Sequence, residues 1–469
     1  MPPAAGSLTL AFQTTYAELL EQCSSDAFGE AFPEAGTFVA KDVAGRRYWY
    51  FQMPASQGQK QKYVGPETAE LLERIDRHRN ARRAERTRQS LVATLVRSAG
   101  LPRPLPRIGE IVAALAQAGV FRLRGVLVGT VAYQTYPGLL GQRLPIASMQ
   151  TSDVDIAQFH NVSVAVEDAT PPMLEILEGI DASFRPVPRL HRTQPSVTYV
   201  ASDNVRVDFL TPNKGSDTDT PRRLAALGTH AEPLRFLDFL IHAPEPAVVL
   251  HGAGILVSVP APERYAVHKL IVAQRRVGSV NVKRAKDMAQ AAALLARLVE
   301  ARPAGLRAVW QEAQGRGARW ADYLYAGLAE IDPIVRDRTL AAVGEVRARI
   351  PGLDLAFDDT APREDFERDA FFLWADAGKQ RVRCLVSRAT VDDAYGADGL
   401  GKEGRLATLR ENRPEIEALL RQKYLHDPVE EPASVTLKSQ DVGRLRSRIA
   451  RAKPPRTRQR VKAAPRRKS

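Results

Sequence analysis

Three short segments hold residues whose types and spacing could do chemistry: LVGTVAY at 127–133, TSDVDI at 151–156 and VRVDFL at 205–210. Asp153 and Asp155 lie two residues apart. Successive side chains of a strand point to opposite faces, so an extended Asp153-Val154-Asp155 projects both carboxylates from one face. Asp208 sits in a second apolar run that reads as a buried strand able to pair beside the first. Three carboxylates offer oxygen ligands for two hard divalent ions, and magnesium keeps coordination sites for substrate phosphates. Gly129 would let the chain pass close to a phosphate, because a side chain there would block the approach. Thr130 adds a hydroxyl, and a helix entered through these two residues would offer free N–H groups and a favourable dipole end to an anion.

The scaffold needed for these positions is an α/β one, with an α+β character overall. From 107 to 215 strands alternate with helices, which predicts a catalytic core on a mixed sheet. Within it, 108–118 reads as a helix, 125–128 as a strand and 131–140 as the helix entered through Gly129-Thr130. Residues 1–106 precede it as a hairpin, from FVAKDV and YWYFQM around AGRR, and a helix over 67–98. Arg77, Arg79, Arg82, Arg83, Arg86 and Arg88 on that helix are interspersed with Asp76 and Glu85, the pattern of a solvated face. Leu101-Pro102-Arg103-Pro104-Leu105-Pro106 ends it. Residues 216–352 read as mainly helical, interrupted by a hairpin at 247–250 and 255–259. A linker is expected at 353–365, from the Pro, Gly and Asp that accumulate around 351–363, and a small α+β domain at 366–441. Residues 442–469 read as a disordered basic tail.

Charge and cysteines narrow the setting. The chain has 469 residues and a formal charge of +13. Residues 444–469 contain 12 Lys or Arg and no acid, so the remaining chain is close to neutral. Such a tail suits a polyanion, nucleic acid foremost, or simple solubilisation. Cys23 and Cys384 are too few for a disulfide framework, no zinc-ligand spacing occurs, and neither an export signal nor an apolar stretch of membrane-spanning length is present. A cytoplasmic protein without membrane contact is the expectation.

The run of Gly129-Thr130, Asp153-Val154-Asp155 and Asp208 resembles the polymerase-beta-like nucleotidyltransferase superfamily, whose pattern is a glycine-small turn, an Asp-x-Asp strand and a later strand acid. More closely, LVGTVAY, TSDVDI, VDFLTP, VSVPAPERYAVHKLIVAQRR and KRAKDMAQA resemble a bacterial nucleotidyltransferase-fold family of poorly defined substrate, over most of residues 37–300. The resemblance implies a nucleoside triphosphate bound with two Mg2+ ions, attack of an acceptor hydroxyl on the α-phosphorus and release of pyrophosphate. It implies Asp153, Asp155 and Asp208 as metal ligands, with Asp208 also helping to deprotonate the acceptor, and Gly129 and Thr130 at the nucleotide. The chain departs from the minimal pattern in a long gap between Gly129 and Asp153 and in Thr130 where serine is frequent. Residues 366–441 resemble a small bacterial domain family of unknown function, through FFLWADAGKQRVRCLVS and SVTLKSQDV.

Further nucleotide-binding candidates are Lys269, on an apolar helix, and Lys214, soon after Asp208. Lys283 and Lys286 share a face of the next helix, where Lys283 could instead pair with Asp287 at i,i+4. His268 reads as a packed histidine. Gly399-Leu400-Gly401-Lys402-Glu403-Gly404 has the spacing of a dinucleotide-binding string, but no βαβ unit surrounds it and it reads as a loop. Tyr48-Trp49-Tyr50 could stack a base, but reads better as a hairpin packing on its own domain. Besides the transferase, a noncatalytic nucleic-acid-binding regulator and a toxin or defence-type transferase are compatible with these features.

Overall fold

A computed structural model describes residues 6–31, 37–43, 46–53, 61–78, 84–145, 149, 151–161, 169–189, 191, 193–213, 215, 218–276 and 281–452. The chain folds as two compact units, residues 1–323 and 324–469. Lys214, Arg79, Arg82 and Arg83 lie outside the described residues, as do residues 453–469. No described helix is long and apolar enough to cross a membrane.

The first unit opens with helix α1 (Leu10–Ala31), which the sequence reading left unassigned. Tyr16, Leu19 and Cys23 recur at helical spacing along one face and are buried. Strands β1 (Thr37–Val43), β2 (Arg46–Gln52) and β3 (Gln61–Pro66) form an antiparallel sheet, one strand more than the expected hairpin. Helices α2 (Ala69–His78) and α3 (Ala84–Arg97) follow. The apolar face of α1 meets Val92 and Leu95 of α3 in one core cluster with Val248 and Leu250. The Val248 N–H donates to the Tyr16 hydroxyl at 3.1 Å, so the N-terminal region is built into the same unit as the chain beyond residue 215.

After α4 (Pro106–Gln117), strand β4 (Val126–Val128) leads into α5 (Gly129–Tyr133) and α6 (Tyr136–Leu140). The single helix expected at 131–140 is thus two short ones. Pro137 cannot donate to a helical ladder and instead occupies the first turn of α6. Next come β5 (Asp153–Ala157), α7 (Met173–Glu178), β6 (Arg185–Pro186), β7 (Thr198–Val200), β8 (Arg206–Pro212), β9 (Arg222–Leu224) and β10 (Thr229–Leu234). The sheet order is β4-β5-β8-β10-β9, with β7 paired to β8 and to β6. Its β5–β8 and β8–β10 pairs are parallel and its β4–β5 pair antiparallel, which makes it a mixed sheet. Two of its strands lie beyond residue 215, so the core sheet extends into the stretch read as mainly helical. Helix α8 (Leu237–Leu240), the hairpin β11 (Glu245–Val249) and β12 (Ile255–Val259), and helices α9 (Pro262–Arg275), α10 (Asn281–Ala301) and α11 (Pro303–Gly315) complete the unit. The boundary at residue 323 falls inside α12 (Ala318–Glu330).

In the second unit α13 (Pro333–Val343) precedes β13 (Ala356–Phe357), β14 (Arg363–Asp365), β15 (Ala370–Ala377) and β16 (Gln380–Ser387). Then follow α14 (Arg388–Tyr395), α15 (Lys402–Glu411), α16 (Arg413–His426), β17 (Ser434–Leu437) and α17 (Ser439–Ala452). Strand β15 pairs antiparallel with β16, and β16 parallel with β17. Phe371, Leu373, Val382, Cys384, Ile416, Leu420 and Tyr424 fill the core beneath them.

Two expectations are corrected here. Residues 353–365, read as a linker, supply β13 and β14, both paired to β15. Residues 442–452, read as the start of a disordered tail, belong to α17. Val442 and Leu445 are buried there, and Arg444, Arg446 and Arg448 pair with Asp427, Glu415 and Asp427. The positive charge that suggested disorder is neutralised locally by acids distant in sequence.

Residues before the expected linker also belong to this unit, through a buried ion network. Asp337 is fully buried and accepts from Arg336 Nε at 2.9 Å and from Arg347 Nη2 at 3.1 Å. Arg336 also donates to Gln380 Oε1 at 2.9 Å, and Arg347 stacks 4.1 Å from the Tyr424 ring centroid. Removing one partner of such a network leaves buried charge uncompensated. Asp337→Ala is therefore expected to destabilise the second unit by about 3–5 kcal/mol, read as a lowered urea midpoint in its unfolding transition.

Candidate functional site

Strand alternation and register assemble the site. In β5 and β8 the apolar Val154, Ile156, Val207 and Phe209 are buried on one side of the sheet. Asp153, Asp155 and Asp208 lie on the other, each half-buried. Parallel pairing sets Asp155 directly beside Asp208 and Asp153 beside Arg206. On the far side of β8, Asp208 stands opposite Thr198 of β7, whose hydroxyl donates to it. Asp153 is held at the start of its strand, its N–H donating to the Thr151 hydroxyl at 3.1 Å. The three sequence-predicted acids are brought together on one face.

Gly129 belongs to the same assembly. It opens α5 with φ of +68°, in the left-handed region, and a Cβ there would fall 2.0 Å from Asp155 Oδ2. Only glycine meets both conditions, since any other side chain would displace the carboxylate. The Gly129 carbonyl accepts from the Tyr265 hydroxyl of α9 at 2.9 Å, and that hydroxyl also lies 2.9 Å from Gln290 Oε1 of α10. Tyr265 packs against Tyr133 and Tyr136, with ring centroids 6.0 and 5.2 Å away. Thr130 is buried in the first turn of α5. That helix has only five residues, so its dipole is weaker than the continuous helix expected from sequence.

Helices α9 and α10 also set the charge around the acids. Lys269, one turn after Tyr265, donates to Asp287 Oδ1 at 2.5 Å and lies 5.1 Å from the Tyr265 ring centroid. Arg276 Nε lies 3.0 Å from the other Asp287 oxygen. Asp287 is thus taken by Lys269 and Arg276 rather than by Lys283, the partner suggested by i,i+4 spacing. His268 is neutral, its pKa pushed down to about 3 by burial and by Lys269 and Arg276, as a packed histidine should be.

Asp155 feels all of these groups. Burial, then the Asp208 and Asp153 carboxylates, push its pKa up to about 6, while Lys269 and Lys283 act in the opposite direction. Lys286 is held below the ordinary lysine range by burial and by Lys269, against the pull of Asp153, Asp287 and Asp155. A crowded set of acids therefore faces a basic wall on α9 and α10.

Residues 107–315 match the family model described as nucleotidyltransferase. This segment is similar to nucleotidyltransferase-family domains. The matched segment runs past the expected boundary at 215 and takes in Tyr265, which contacts Gly129, together with Lys269, Asp287 and Gln290, which join α9 to α10. Residues 355–437 match the model of a protein family of unknown function (DUF1488). No curated protein and no solved structure matches the chain.

Sequence reasoning missed Thr198, Tyr265 and Gln290, which contact Asp208, Gly129 and Tyr265 respectively at the candidate site. Thr198 lies in a three-residue strand too short for a periodic signal. Tyr265 and Gln290 sit on helix faces that read equally well as ordinary core.

The close approach predicts strong coupling. Gly129→Ala alone is expected to cost about 1–2 kcal/mol from the backbone conformation, plus the displacement of Asp155. In an Asp155→Gly background only the backbone part should remain, and denaturation of the four proteins of this double-mutant cycle measures the difference. The Asp155 shift also makes a pH prediction. Its carboxyl pKa is 3.8 ordinarily and about 6 when folded, so the folded state favours the proton. Its stabilising contribution is full below pH 3.8 and is lost as pH rises through 6. In magnesium-free buffer at pH 7.5, Asp155→Asn should stabilise the protein by about 1–3 kcal/mol. That advantage should vanish near pH 3.8, as thermal unfolding across pH would show.

Proposed function

We propose that this protein transfers a nucleoside monophosphate from a nucleoside triphosphate to an acceptor hydroxyl, with Mg2+ at the acids of β5 and β8. The observation that carries the reading is the Asp155 carboxylate, packed against the left-handed Gly129 and beside Asp208 within a segment similar to nucleotidyltransferase-family domains.

The donor set fits a hard divalent cation. All three side chains offer carboxylate oxygens from one face, and the charge crowding that raises the Asp155 pKa is what a cation would relieve. Among the described residues no group of three or more His, Cys, Asp or Glu side chains is placed to hold a metal ion as it stands, so the three acids would draw together around the cation on binding. In this reading Asp153, Asp155 and Asp208 would hold two ions. Bound there, Mg2+ supplies Lewis-acid polarisation of phosphate oxygens and favours the ionised acceptor.

The chain's own groups account for the rest. The left-handed turn at Gly129 admits the Asp155 carboxylate against its Cα and so sets the start of α5, with Thr130, beside the acids where the triphosphate would lie. Lys269, Lys283 and Lys286 supply positive potential for the phosphates, Lys269 while retained by Asp287. Asp208, oriented by Thr198, takes the proton of the acceptor hydroxyl. The acceptor oxygen then forms a bond to the α-phosphorus as the bond from that phosphorus to the bridging oxygen breaks, and pyrophosphate leaves. The proton passes on to solvent.

Calorimetric titration of ATP, GTP, CTP and UTP with Mg2+ tests this reading. Wild type should bind at least one of them in a Mg2+-dependent manner and release pyrophosphate from it when an acceptor is present. Asp153→Ala and Asp155→Ala should keep the fold and lose at least 100-fold of turnover, on the order of the loss seen when essential catalytic electrostatics are removed. Unchanged turnover in either variant would remove the acids from the reaction.

A further inference from the structure

The sheet β1–β3 carries a second assembly of chemically distinctive residues, which the transfer site does not use. Residues directly opposite one another across a strand pair share a face. Register places Lys41 opposite Tyr48, Val39 opposite Tyr50, and Tyr50 opposite Tyr63. One face therefore carries three tyrosines and a lysine. Tyr63 lies 5.7 Å from Tyr50 and 6.3 Å from Tyr48 between ring centroids, and it remains 57% exposed. Lys41 Nζ sits 4.9 Å from the Tyr50 ring centroid and donates to Gln61 Oε1.

The other face is already occupied. Phe51 is fully buried with Phe38 packed edge-on at 4.9 Å, and Trp49 donates its indole N–H to Glu67 at 2.9 Å. The alternation thus divides the aromatic run. Trp49 and Phe51 pack inward, as the sequence reading had it for the whole cluster, while Tyr48 and Tyr50 join Tyr63 on the face that leaves Tyr63 in solvent. By register Lys41 lies on the tyrosine face, while Arg47, which pairs with Glu67, and Lys62 lie on the opposite one.

We propose that this tyrosine face binds single-stranded nucleic acid, stacking bases on Tyr63 and Tyr50 while Lys41 meets the phosphates. Three observations favour this occupant. The rings offer π-faces with polar hydroxyl tips, which suit unpaired bases. The described residues of this face include Lys41 and no acid, which complements a phosphate backbone. By register the aliphatic positions of β1 on this face are Val39 and Val43, set apart by Lys41, so it lacks the contiguous apolar centre of a protein interface. A duplex hides its base faces and would gain only the electrostatic part. The inference does not require the transfer reaction, and its test does not use a triphosphate.

The test is fluorescence anisotropy of a labelled 12-nucleotide single-stranded RNA with the full-length chain over a range of salt concentrations. Stacking is worth enough that Tyr50→Ala/Tyr63→Ala should weaken binding roughly tenfold or more. The slope of affinity against salt should not change, because no charge is removed. Tyr50→Phe/Tyr63→Phe keeps both rings and should stay within about twofold of wild type. An abasic oligonucleotide of equal length should bind wild type about as weakly as the intact one binds the double alanine variant. That arm uses the unaltered protein, so it reads even if the alanine variant is poorly folded. Absence of binding by wild type overturns the proposal, as does equal affinity of wild type for abasic and intact strands or equal affinity of the folded alanine variant and wild type.

Discussion

The Asp155 carboxylate sits against the bare Cα of Gly129, and most of the first unit's architecture serves that approach. A Cβ at Gly129 would fall 2.0 Å from the carboxylate oxygen, so the turn from β4 to α5 and strand β5 can lie this close only with glycine in the left-handed region. The antiparallel pairing of β4 with β5 places Val128 opposite Asp155 and so brings the next residue over it. On the other edge of β5, parallel pairing with β8 sets Asp208 beside the same carboxylate. One acid is thus compressed between a turn and a second acid, in a half-buried position where ionisation is disfavoured.

Such a concentration of negative charge needs compensation. Part of it comes from Lys269 and Lys283 on helices that pack behind the glycine turn. Tyr265 and Lys269 are one turn apart on α9, and Asp287 and Gln290 are one turn apart on α10. Two polar contacts therefore join the helices, Tyr265 to Gln290 and Lys269 to Asp287. The first also reaches the Gly129 carbonyl. The same helix pair fixes the backbone of the turn and sets the electrostatic environment of its acid. This gives a physical reason for the family match to extend through residue 315 rather than end with the sheet.

The second unit solves a different problem. Strand β13 is two residues long and β14 three, and both are retained by pairing with β15, while the charged last helix is held by ion contacts and by Val442 and Leu445 in the core. Asp427 alone receives Arg444 and Arg448, and Asp337 receives two arginines at full burial. The Asp427 contacts join residues 17 and 21 positions apart, so the charge of 442–452 read as disorder, while 353–365 read as a linker from the Pro, Gly and Asp around 351–363.

The local pattern of the chain was enough to identify the acids, their common strand face and the glycine turn, because period-two alternation and the steric demand at Gly129 are properties of a few consecutive residues. The same locality made the hairpin at 247–259 and the paired strands near 371–386 legible. Strands β7, β9 and β10 were not, since each is short or broken by Gly and Pro and is stabilised by the neighbours that pair with it. Register, helix packing and ion-pair choice belong to the tertiary structure alone. Spacing along one helix offered Lys283 as the partner of Asp287, but packing of α9 against α10 gave that place to Lys269. Sequence determined which groups could meet phosphate and metal; only the folded arrangement decided which carboxylate would be crowded and which lysine would be engaged, because both depend on distances between residues that the chain order leaves free.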